Sequence, residues 1–121
     1  MSMRQMSIKI YHNPRCSKSR QTLQLMTEHE VNPQIVEYLK TPPSRVELEA
    51  ILHMLGLEPR ELMRKKEKEY KAAGLDNPEL DRDALIQGML DHHKLIERPI
   101  VIKDDKAIIG RPPELVLDLI S

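Results

Sequence analysis

Cys16 is the only thiol in a chain of 121 residues, and its neighbours decide what chemistry it can do. It follows Asn13-Pro14, a turn-forming pair, and precedes a stretch of helical character from about Ser17 to Glu30. The first N–H groups of a helix lack partners and carry partial positive charge, so a thiolate placed there is stabilised. Thiols in such positions have pKa values of roughly 3.5–7.5 in place of about 8.5. The plainer fate of a lone cysteine is that of a small apolar residue in a core. Arg15, Lys18 and Arg20 around it favour the reactive reading. Thr22 stands where the C-x5-R loop of tyrosine phosphatases needs its arginine, which excludes that loop. Ser19 stands where a dithiol motif needs its second cysteine. What remains is a C-x-x-S site, able to attack an electrophile or enter a mixed disulfide but unable to resolve one alone.

The elements that must position this residue follow from periodicity. Ser7–His12 alternates, with Ile8 and Ile10 on one side, and reads as a strand. The helix after Cys16 turns Leu23 and Met26 inward, and Gln34–Leu39 is a second short strand, so the chain opens with a parallel strand–helix–strand unit. After Thr41-Pro42-Pro43, Ser44 and Glu47 form a capping box ahead of Leu48, Ile51, Leu52 and Leu55, and Gly56 stops that helix. Glu58-Pro59 begins a shorter helix through Met63, while Lys65–Lys71 reads as a solvated surface. Asp81 or Asp83 caps a further helix with Leu85, Ile86, Met89 and Leu90 on its apolar face. Pro99–Ile102 and Ala107–Ile109 flank Asp104-Asp105, a two-residue hairpin turn, and Arg111-Pro112-Pro113 leads into a last helix, Glu114–Ile120. The expected architecture is one α/β domain over residues 1–121, with residues 1–6 as a flexible N-terminus. A helical insertion at about 44–95 divides a βαβ-ββα core, the thioredoxin-like order.

Composition narrows the function. Lys plus Arg is 19 and Asp plus Glu is 19, so the net charge is zero and the basic excess of a nucleic-acid binder is missing. Phe and Trp are absent and Tyr numbers three, which leaves no base-stacking platform. No apolar run approaches the roughly 18 residues of a membrane span, and the opening residues carry no signal-peptide stretch, so the cytoplasm is the expected location. A single cysteine excludes an internal disulfide and a multi-cysteine zinc site, and no metal is expected. His29, His53, His92 and His93 read as surface residues. His92 and His93 are adjacent, so a helix would splay them by about 100°. His12 lies at the end of the first strand, where it either tunes the thiol or orients the loop. Ser19 either donates to the thiolate or bonds a helix carbonyl.

The stretch His12-Asn13-Pro14-Arg15-Cys16-Ser17-Lys18-Ser19-Arg20 resembles the H-N-P-x-C-x-x-S-R active-site pattern of glutaredoxin-coupled arsenate reductases, the ArsC family of the thioredoxin-like superfamily. The similarity continues through Tyr38–Pro43 and Leu62–Lys66, and returns at Ile96–Val101 and Arg111–Glu114, covering about Ile8 to Ile120. The resemblance implies that Cys16 is the nucleophile, that Arg64, Arg98 and Arg111 hold the oxyanion, and that Pro99 follows a cis bond facing the cysteine loop. It also implies arsenate as substrate, glutathione as co-substrate, glutaredoxin as a further thiol donor, and no bound cofactor. The physics agrees: an arsenate dianion and a thiolate repel, and guanidinium groups neutralise that repulsion with forked donors. On its own residues Arg64 reads as surface, since it abuts a charge run.

Ser17-Lys18 and Arg15 depart from the family's usual residues, which leaves two rivals. One is a polymerase-binding regulator of the Spx type without its CxxC switch. The other is a monothiol glutaredoxin holding an iron–sulfur cluster, whose C-G-F-S motif Ser17-Lys18 does not match.

Overall fold

A computed structural model describes residues 8–120. The expectation of a flexible segment at residues 1–6 lies outside the described residues. The chain divides into two units, one of residues 1–38 with 98–121 and the other Leu39–Glu97.

The first unit is built on a four-stranded sheet of order β2-β1-β3-β4. β1 (Ile8–His12) runs parallel to β2 (Gln34–Glu37) through the crossover helix α1 (Ser17–Glu28), and antiparallel to β3 (Ile100–Lys103). β3 returns directly into β4 (Lys106–Ile109), with Lys103 opposite Lys106 across Asp104-Asp105. Asp104 takes a φ of 57°, a left-handed conformation that aspartate accepts more readily than most residues.

Ile10 pairs with Val101, and Val101 with Ile108, so one face of the sheet is a continuous aliphatic strip. Met26 of α1, with Val116 and Leu119 of the short C-terminal helix α5 (Val116–Ile120), covers that strip. Ile10, Met26, Val101 and Val116 are fully buried. A 3-10 turn at Pro113–Leu115 precedes α5, so the expected helix Glu114–Ile120 is shorter, with a proline tightening its entry.

α1 also ends earlier than its composition suggests, and the reason is specific. Glu30 stands in the left-handed region at φ 61°. Its N–H donates to the Thr27 carbonyl at 2.9 Å, and the Val31 N–H donates to the Met26 carbonyl at 2.8 Å. This is a Schellman stop built without glycine, and Val31 completes it by packing on the same cluster as Met26.

In the second unit, α2 (Arg45–Leu55) carries the expected capping box: Ser44 Oγ accepts the Glu47 N–H at 3.1 Å, and the Ser44 N–H donates to Glu47 Oε1 at 2.8 Å. Gly56 ends the helix at φ 67°. A 3-10 turn at Pro59–Leu62 replaces the short helix expected through Met63. The charged stretch expected to be solvent-covered surface instead contains α3 (Lys68–Ala72) with Tyr70 buried. The Arg60 guanidinium holds it there, donating to Tyr70 Oη at 2.8 Å and to the Leu75 carbonyl at 2.6 Å. Asp81 caps α4 (Arg82–Asp91) by accepting the Ala84 N–H at 2.9 Å, and Leu85, Ile86 and Met89 are buried. His92 and His93 are half-buried where α4 gives way to a 3-10 turn at His93–Leu95, a correction to their expected surface position.

Candidate active site

Asn13 builds the loop that presents the thiol. Its side-chain Oδ1 accepts the Arg15 N–H at 3.0 Å, and its carbonyl accepts the Cys16 N–H at 3.0 Å. Arg20 braces the outside of the loop by donating to the Pro14 carbonyl at 2.9 Å. Cys16 is the N-cap of α1, with extended backbone (φ −94°, ψ 123°), and its carbonyl accepts the Arg20 N–H that opens the helix.

The half-buried sulfur sits among donors. Desolvation is the largest single influence on its acidity and pushes the pKa up. Hydrogen bonds from the Ser19 N–H, the Arg98 guanidinium and the Lys18 N–H, with the charge of Arg98, together outweigh it and hold the thiol below the ordinary cysteine range. Arg111 Nη2 stands 3.9 Å from the sulfur, a long contact even for sulfur. Its Nε–H donates to the Arg98 carbonyl at 2.9 Å, which ties the two arginines together. The Arg98–Pro99 and Arg111–Pro112 peptide bonds are both cis.

Beneath the loop lies a small polar network. Ser19 is fully buried, and its Oγ accepts the Asn13 N–H at 3.1 Å and stands 2.6 Å from His12 Nδ1. Burial lowers the His12 pKa; Glu37 opposes that effect and Arg20 adds to it. A neutral imidazole with its proton on Nε2 can accept the Ser19 hydroxyl proton at Nδ1, while the Ser19 oxygen accepts the Asn13 N–H. Among the described residues, no cluster of three or more His, Cys, Asp or Glu side chains could hold a metal ion. No helix among them is long and apolar enough to cross a membrane.

The Cys16 sulfur, backbone N–H groups and two guanidinium groups gather at one end of the sheet, where β1 and β4 end and β3 begins. Residues 11–119 match the ArsC family. The chain belongs to the ArsC family. The uncharacterized protein YfgD of Escherichia coli K12 is 54% identical over 115 residues, covering 94% of this chain and 97% of that protein. An arsenate reductase of Neisseria meningitidis serogroup B is 53% identical over 108 residues, covering 88% and 92% respectively. The solved structure of an arsenate reductase from Vibrio cholerae superposes with a TM-score of 0.92 at 50% identity, covering 95% of this chain and 98% of that one. The fold is the thioredoxin-like α/β fold of ArsC-family structures.

The ArsC-family residues expected from sequence fall in two places. Cys16, Arg98, Arg111, His12, Ser19 and Pro99 all lie in the first unit. Arg64 lies in the second, where Met63 and Ile96 form an antiparallel bridge and the Arg64 N–H donates to the Leu95 carbonyl at 2.7 Å. That pairing aligns Arg64 with Glu97, and the guanidinium is shared between Glu97 at 3.0 Å and Glu67 at 3.2 Å. Arg64 is thus a partly buried ion-paired side chain, not the loose surface cation that its charged neighbours suggest.

Ser19 does neither of the two things expected of its hydroxyl. Its backbone N–H serves the sulfur while the hydroxyl serves His12 and Asn13. Sequence reasoning had no signal for the contact of Thr22 on α1 with Gly110, the residue before Arg111.

Proposed function

We propose that this protein is an arsenate reductase that works through a covalent Cys16–arsenic intermediate, with glutathione and glutaredoxin as thiol donors. The observation that carries the reading is the Cys16 sulfur hydrogen-bonded by the Arg98 guanidinium, which lowers its pKa, with Arg111 Nη2 3.9 Å away. The Arg98 guanidinium that lowers the thiol's pKa, with Arg111 beside it, also neutralises an incoming oxyanion, so nucleophile and substrate gather despite their like charge. Arg64 is the third guanidinium of this reading by its place in the family motif.

In the first step the Cys16 thiolate forms an S–As bond and one arsenate oxygen leaves as water after protonation. Glutathione then displaces a second oxygen as water, forming another S–As bond. A glutaredoxin thiolate attacks the glutathione sulfur, forming an S–S bond while the S–As electron pair remains on arsenic. Arsenic(V) becomes arsenic(III), and the two thiols become a mixed disulfide. Water releases arsenite and returns the Cys16 thiol. We assign the reaction to the cytoplasm, where glutathione is kept reduced.

The test is arsenate-dependent NADPH oxidation coupled through glutathione, glutaredoxin and glutathione reductase. The wild-type protein is expected to turn over and Cys16→Ser is not. Absence of arsenate-dependent oxidation by the wild-type protein overturns the assignment.

A further inference from the structure

Thr22 is a fully buried polar residue on α1, and Gly110 is a buried residue where β4 leaves the sheet. The two touch. Thr22 Oγ1 donates to the Lys18 carbonyl at 2.9 Å and stands 3.4 Å from the Gly110 carbonyl. A Cβ added at Gly110 would meet Thr22 Oγ1 at 2.6 Å, Pro99 Cγ at 3.0 Å and Thr22 Cγ2 at 3.1 Å. Real Cβ atoms essentially never stand as close as the first of these. The positive-φ glycines are Gly56 and Gly74, so Gly110 is needed for space and not for backbone freedom. Its N–H also donates to the Pro99 carbonyl at 2.9 Å, which locks the turn against the start of β3.

Both ends of this contact lead to the sulfur. The carbonyl that Thr22 engages belongs to the Lys18–Ser19 peptide unit, whose N–H donates to Cys16 Sγ. The residue after Gly110 is Arg111, which reaches Arg98 with Nε and Cys16 with Nη2. We propose that Thr22 and Gly110 are a positioning pair whose close approach sets the distance between the Arg111 guanidinium and the Cys16 thiolate. A side chain at residue 110 would push the Arg111 segment away from α1, and the Arg111 contact, already long, would be lost first.

The experiment has two arms, and only the second rests on the arsenate reading. The ratio of Cys16 alkylation by iodoacetate, an anion, to that by neutral iodoacetamide reports positive charge at the sulfur without any turnover. Gly110→Ala is expected to lower this ratio by about threefold, comparable to one exposed ion pair. In an Arg111→Ala background, adding Gly110→Ala should leave the ratio unchanged, because the group being positioned is already gone. Thr22→Ala added to Gly110→Ala removes two of the three obstructing atoms, the nearest among them, leaves only Pro99 Cγ at 3.0 Å, and should restore most of the ratio. For arsenate, Gly110→Ala should raise KM by about tenfold, equivalent to about 1.4 kcal/mol, with a smaller change in kcat.

If Gly110→Ala does not fold, Thr22→Val against Thr22→Ser decides: the valine variant should lower the ratio and the serine variant should keep it. Equal losses with and without Arg111, or an unchanged ratio in the folded variants, overturn the proposal. A protein that shows the alkylation pattern but no arsenate turnover refutes the reductase reading and leaves this one standing.

Discussion

Replacing Arg98 by alanine is the sharpest perturbation of the thiolate site. The substitution removes the guanidinium that hydrogen-bonds Cys16 while leaving the Arg98 carbonyl, which anchors Arg111 Nε. A hydrogen bond to a charged group contributes about 1.5–3 kcal/mol. Two charges about 4 Å apart attract by about 1 kcal/mol in water and about 4 kcal/mol near a protein surface. The charge is part of that same hydrogen bond, so the two are not summed, and screening at half-buried Cys16 keeps the contribution at the low end, about 1.5 kcal/mol. That free energy corresponds to about one pKa unit. The Ser19 and Lys18 N–H donors remain in Arg98→Ala, so the thiol should rise by about one unit and not more. The assay is the pH dependence of iodoacetamide alkylation, whose midpoint reports the thiolate fraction directly. Arg111→Ala should shift the midpoint less, because its contact is 3.9 Å. Titration curves for Arg98→Ala and Arg111→Ala that both superpose on the wild type would refute the idea that these guanidinium groups stabilise the thiolate.

Three further outcomes follow from the same structure. The folded Cys16 pKa is depressed, so its stabilising contribution is fully present above the unfolded value of about 8.5 and is lost as pH falls through the folded value; the thermal-midpoint advantage over Cys16→Ser should shrink across that window. Burial depresses the His12 pKa, so its contribution is present above the unfolded value of about 6.5 and is lost as pH falls through the folded value; the acid-side decline in thermal midpoint should be shallower in His12→Gln. Ser19→Ala leaves the buried Asn13 N–H and His12 Nδ1 without their partner, and denaturant titration should show a loss of about 1–3 kcal/mol.

Local chemistry was readable from the residues. The Ser44–Glu47 capping box, the Asp81 cap, the two-residue turn at Asp104-Asp105 and the strand β1 each need only neighbours in sequence, and each is present, although β1 is buried on both faces from Ile10 onward. Two departures arise where tertiary packing replaced the usual local signal. Glu30 performs a helix stop usually given to glycine because Val31 gains a seat on the core. Tyr70 is buried within a charged run because Arg60 reaches it from outside that run. A single apolar residue among lysines and glutamates has no period to reveal it. In the site, the Cys16 loop could be reasoned from its own residues, whereas Arg98 and Arg111 came only through resemblance to a family. Nothing local marks an arginine that will meet a sulfur 95 positions away. The Ser19–His12 bond and the Thr22–Gly110 approach were invisible for the same reason, since each is a distance and not a residue type.

The groups that acidify Cys16 are drawn from separate parts of the chain, with Ser19 and Lys18 beside it and Arg98 on the far side of the second unit in sequence. During synthesis the cysteine therefore leaves the ribosome as an ordinary, mostly protonated sulfhydryl with only its nascent helix turn for company. Its ionised fraction reaches its full value only once β3 has docked beside β1 and brought Arg98 to the sulfur, after translation has passed it. Oxidants and electrophiles that meet the growing polypeptide thus encounter a comparatively inert group, and reactivity becomes a certificate that folding has finished.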